Sequence, residues 1–210
     1  MDNLLELIIT NIHMLMSGLN EVDKINCLNK LKFEMHKLSP FKCHPIDCVL
    51  WVPVSDVDGN DYNPNHVAPP ELKLLYKSLI SDGFTQPVVV WEDCENHYIV
   101  VDGFHRTSLV ARKKQLREKT VGYLPVTRIV NDKTRNHRMA VTIRHNRARG
   151  QHHIRAMSDI VQELCRLGWK DSEICTELGM DQDEVLRLKQ ISGLMEIFHD
   201  CEFSPGWTVR

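Results

Sequence analysis

The ten residues Tyr98-Ile-Val-Val-Asp-Gly-Phe-His-Arg-Thr107 set an apolar, β-branched run directly against a glycine and then against a sequence suited to start a helix. A run of that kind forms a strand, and a glycine at its end lets the chain turn where other residues are strained. Unpaired backbone N–H groups and the positive end of the helix dipole converge at such a junction, and an arginine adds a planar fork that matches phosphate oxygens. Gly103, His105, Arg106 and Thr107 are therefore the first candidates for an anion site. The plainer alternative is a solvated helix start.

The segments on either side predict an α+β fold. Helical spacing in Leu4, Leu5, Ile8, Ile12 and in Ile25, Leu28, Leu31, Met35, Leu38 gives a helical hairpin over residues 1–40, broken at Gly18 and closed by Ser39-Pro40. Cys48 to Val54 reads as a strand, Gly59 to Pro70 as a loop and Glu71 to Ser81 as a helix. Val88 to Trp91 and Tyr98 to Val101 form a hairpin, followed by a helix to about Leu116 and a strand around Val126 to Val130. From Thr134 onward only helical spacing is left, in Ile154 to Leu167, Ser172 to Leu178 and Asp181 to Ser192. The resulting division is a core over residues 41–132, a basic helical segment over 133–195 and a tail over 196–210.

Composition excludes little. The chain of 210 residues is 42% hydrophobic and 26% charged, as ordinary globular proteins are. Its seven cysteines form no CxxC pair and read as reduced thiols of a cytoplasmic protein. Cys43-His44-x3-Cys48 lacks a second ligand pair, so no metal is expected. Asp2 and Glu6 interrupt the apolar start and no basic segment precedes it, which argues against a signal peptide or membrane anchor.

A net charge of −2 hides an uneven distribution. Between Asp132 and Asp159 there is no acidic residue, while Lys133, Arg135, Arg138, Arg144, Arg147, Arg149 and Arg155 are basic. Such a block can neutralise DNA phosphates and release their counterions. Beyond it, Asp171 to Gln190 reads as a helix-turn-helix, with Ile174, Cys175, Leu178, Met180, Val185 and Leu188 as core, Gly179 as the turn and Asp181 as a cap. Arg187 and Gln190 are candidates for base contact, although Asp181, Asp183 and Glu184 crowd the end that would enter the groove.

Three strings carry a resemblance: Gln86-Pro-Val-Val-Val90, Ile99-Val-Val-Asp-Gly-Phe-His-Arg-Thr107 and Leu124-Pro-Val126. They resemble successive boxes of the ParB N-terminal domain, and Gly103-Phe-His-Arg106 is similar to the phosphate-binding turns of sulfiredoxins and ParB-like kinases. The whole looks closest to IbrB-like co-activators of prophage gene expression. The resemblance implies a ParB/sulfiredoxin-like mixed sheet with helices, followed by an all-helical helix-turn-helix region. It also implies binding of a nucleoside triphosphate, ATP or CTP, with or without Mg²⁺, in which Gln86 joins the turn. Asn146 and Arg149 match the second phosphate motif of ParB proteins.

Two departures bear on activity. Phe104 stands where sulfiredoxins carry their essential cysteine and ParB proteins an acidic residue, and His145 stands where the second motif has Glu. Sulfinic acid reductase chemistry is excluded, and metal-dependent hydrolysis loses a hard oxygen ligand. The expectation is a regulator that binds DNA and nucleotide and acts with a partner similar to phosphoadenosine phosphosulfate reductases, in a prophage or phage-defence setting. The alternative is an enzyme on the same core, an NTP hydrolase, kinase or nuclease, with catalytic residues that the sequence does not identify. Homodimerisation is left open.

Overall fold

The computed structural model describes residues 2–59, 69–94, 96–129, 140–144 and 154–198. The chain divides into two compact units, residues 1–60 with 68–131 and residues 61–67 with 132–210. The first holds a mixed sheet with helices and the described part of the second is helical, the α+β architecture expected.

In the first unit, α1 (Asp2–Ser17) and α2 (Glu21–Leu38) are separated at Gly18, and Asn20 caps α2 by accepting the Asp23 N–H at 2.9 Å. Five strands follow, β1 (Val49–Pro53), β2 (Val57–Asp58), β3 (Val88–Cys94), β4 (His97–Asp102) and β5 (Tyr123–Ile129), in the spatial order β1-β5-β3-β4-β2. β3 and β4 form the expected hairpin, antiparallel with Trp91 opposite Ile99. β3 runs parallel to β5, and the two-residue β2, which periodicity does not show, runs parallel to β4. The completely buried Val88, Val90, Val100, Leu124 and Val126 make the centre of the core. α3 (Pro69–Ser81) adds Leu79 to it, and α4 (Phe104–Arg112) adds Leu109 and Val110.

The helix after Gly103 does not continue to Leu116. Lys113 is extended, with its N–H closing α4 on the Leu109 carbonyl at 2.9 Å and its own carbonyl accepting the Arg117 N–H at 3.0 Å to open α5 (Lys114–Lys119). Apolar spacing runs on through the break because Leu116 is buried in the same core, so periodicity alone does not reveal it.

The sheet edge at β1 is closed by a side chain. Trp51 lies opposite Pro125 of β5. On the other side of the strand, the Asn29 carboxamide of α2 accepts the Trp51 N–H at 2.9 Å and donates to its carbonyl at 2.6 Å. Lys32 donates to the Val49 carbonyl at 3.2 Å.

The second unit contains α6 over residues 140–144, α7 (Ile154–Arg166), α8 (Asp171–Leu178) and α9 (Gln182–Phe198). Ile143, Val161, Leu164, Ile174 and Val185 are completely buried together. α7 is tied to α9 by the buried Ser158 hydroxyl, which donates to the Leu188 carbonyl at 2.5 Å.

Candidate functional site

The first unit places Gly103 at the junction of β4 and α4 with φ of 100°, the left-handed conformation that the sequence anticipates for a turning glycine. A Cβ there would stand 3.2 Å from Arg106 Nη2 and 3.2 Å from Val88 Cγ2, so glycine is required both for the turn and for the packing of Arg106 across it. No side chain caps the start of α4. Its first turn directs backbone N–H groups and the positive end of the dipole toward whatever lies before it.

Arg106 is directed inward. Its Nη1 donates to the carbonyls of Gln86 at 2.7 Å and Pro87 at 2.9 Å, and its Nη2 meets the Asp102 carboxylate at 3.3 Å. Both side chains are nearly covered, Arg106 at 12% and Asp102 at 10% exposure. The arginine thus straps the segment leading into β3 to the end of β4. Asp102, which with Glu71 is an acid that the sequence offers in place of the missing ones, is paired with Arg106 at i, i+4 spacing.

Of the other turn residues, Thr107 is buried and its hydroxyl donates to the Gly103 carbonyl at 3.3 Å. His105 is half-buried, with its ring edge-on to Phe104 at 5.5 Å between centroids. Gln86 has an exposed side chain and enters through its carbonyl. Phe104 packs against the core, close enough to Gly59 that a Cβ there would fall 2.7 Å from the ring. Position 104, which carries an acid or a cysteine in the proteins this turn resembles, is a packing position here.

In the second unit the helix-turn-helix is built from α8, a left-handed Gly179 with φ of 63°, and α9. Met180 N–H returns to the Cys175 carbonyl at 3.0 Å, and Asp181 accepts the Glu184 N–H at 2.6 Å, the cap expected from the sequence. The six expected core residues, Ile174, Cys175, Leu178, Met180, Val185 and Leu188, lie in one cluster. Gln182, Asp183, Leu186, Arg187 and Gln190 form the exposed side of α9. Lys189 is tied to Asp171 at 2.6 Å, and that bond holds its ammonium pKa above the ordinary lysine value.

The basic block is represented by Arg144 alone among the described side chains, and its guanidinium pairs with Glu177 of α8. Arg135, Arg138, Asn146, Arg147 and Arg149 lie outside the described residues. No group of three His, Cys, Asp or Glu suited to a metal ion is present among the described residues. None of their helices is long and apolar enough to cross a membrane.

Residues 152–200 match the family model described as the IbrB-like C-terminal HTH domain. The chain is 54% identical over 195 residues to the protein YbdM of Escherichia coli (strain K12), a match that covers 93% of this chain and 92% of YbdM. Solved structures with a similar course of chain include the C-terminally truncated chromosome-partitioning protein ParB from Caulobacter crescentus complexed to the centromeric parS site. It is 16% identical with a TM-score of 0.45, and the match covers 70% of this chain and 75% of that one. A Pnob8-like ParB-N domain is 12% identical with a TM-score of 0.48, covering 75% of each chain.

Proposed function

This chain belongs to the family of Escherichia coli YbdM and carries an IbrB-like C-terminal helix-turn-helix, and from that premise we propose that it is a cytoplasmic, DNA-associated, nucleotide-binding regulator. The observation that carries the reading is the helix-turn-helix itself: a capped second helix on a closed apolar core, presenting Arg187 and Gln190 to solvent. Asp181 and Asp183 at the start of that helix repel phosphate, so base reading is weak and the basic block from Lys133 to Arg155 supplies most of the affinity.

Nucleotide binding rests on the uncapped start of α4 behind Gly103, with a nucleoside triphosphate as the ligand, Gln86, His105, Arg106 and Thr107 framing the turn and Asn146 and Arg149 as the second phosphate contact. Its partner in this reading is a protein similar to phosphoadenosine phosphosulfate reductases, in transcriptional co-activation or phage defence. The enzyme alternative needs an acid at the turn. Asp102 stands nearest and is engaged by Arg106, which favours binding over hydrolysis.

The test is fluorescence anisotropy of duplex DNA at a series of salt concentrations. Neutralising Arg135 and Arg138 is expected to weaken binding to all duplexes alike and to lower the slope of log affinity against log salt by about two, one per lost phosphate contact. Arg187→Ala is expected to change affinity by less than about threefold. The reading fails if no duplex binds at low salt. Its division of labour fails if Arg187→Ala removes a preferred site and spares non-specific affinity.

A further inference from the structure

No side chain of α1 is buried. Leu4, Leu7, Ile8, Met14 and Leu15 keep between 47% and 63% of their surface open, although each belongs to a residue type that a soluble chain ordinarily covers. Their positions, i, i+3, i+4, i+10 and i+11, lie on one face of the helix, with Asn11 at i+7 in the middle. Asp2, Glu6 and His13 fall on the opposite side, so this face carries no charge. A contiguous apolar face of this kind marks an interaction surface.

We propose that the face is covered by the same face of a second copy of the chain, packed antiparallel with the two-fold axis passing at Asn11. A partner chosen by charge would find nothing to match here. The one polar group is a carboxamide, which donates and accepts, so a second Asn11 satisfies it. A single asparagine within an apolar seam fixes register in paired helices. About that axis, Leu7 meets Leu15 of the second copy and Ile8 meets its Met14. Leu4 comes over its Gly18, where an added Cβ would meet nothing within 4 Å and there is room for a large side chain. The antiparallel arrangement also sets the two helix dipoles against each other favourably.

The five large apolar side chains of this face stand 47% to 63% exposed. At roughly 50 Å² each they offer about 250 Å² per copy, a third of the ~800 Å² that each partner contributes to a standard interface, so the pairing is weak and depends on concentration.

The experiment is sedimentation equilibrium of the full chain at tens of micromolar, which is expected to return a dimer. Ile8→Glu is expected to weaken self-association at least ~10-fold with an unchanged circular dichroism spectrum, because a carboxylate on this face would have to be desolvated. Asn11→Cys is expected to give an oxidised covalent dimer above the background of the seven native cysteines, and Leu4→Cys is not. The proposal is overturned by a monomer throughout the range, by a dimer indifferent to Ile8→Glu, or by an Asn11→Cys chain that links no more than the wild type.

Discussion

The guanidinium of Arg106 is attached to two carbonyls and a carboxylate of its own fold, so its removal has a structural effect whatever ligand the turn receives. Arg106→Ala takes its charged neighbour from a nearly covered Asp102 and leaves two carbonyls without their charged donor. The expected cost is about 3 kcal/mol, read from urea unfolding at neutral pH. Arg106→Lys is expected to recover less than half of it, since one ammonium cannot span three acceptors in a plane. A loss under about 0.5 kcal/mol would mean that the strap is unimportant and that the arginine serves the ligand alone. The motif is legible in the sequence because strand, glycine and helix start are local features. The inward direction of the arginine is not, because the carbonyls of Gln86 and Pro87 reach it through the packing of β3 beside β4.

Among the elements, the helix-turn-helix is the most fully specified by local sequence. Its turn glycine, its cap and its six core positions are all short-range features, and each is found where the sequence places it. Asp181→Ala is expected to lower the thermal stability of the chain by about 1 kcal/mol through loss of the Glu184 N–H acceptor, measured by differential scanning calorimetry against Asp183→Ala, which removes no such bond. Equal effects of the two substitutions would refute the cap. The sheet is less legible. β2 is too short to show a period, and β5 begins at Tyr123 because Tyr123 to Thr127 are buried in succession, which erases the alternation by which half-buried strands are recognised. The break at Lys113 leaves no apolar signature, since residues on both sides of it feed one core.

For the molecule as a whole, the turn that we propose as an anion site is poorly equipped for cleaving what it would hold. Phe104 is occupied with packing against Gly59 and Asp102 with Arg106, so steady-state phosphate release from ATP or CTP is expected to stay well below about one per second, with Mg²⁺ present. Turnover at or above that rate would move the protein into the enzyme class. The guard on β1 has a different consequence. An exposed strand offers unpaired N–H and C=O groups to any extended chain, and the recruitment of further strands is the route by which folded sheets template aggregates. In this sheet one outer strand is two residues long, and the other has both polar groups of Trp51 already held by Asn29. The sheet is therefore finished at five strands, and growth by strand addition along β1 would first have to pull Asn29 away from it.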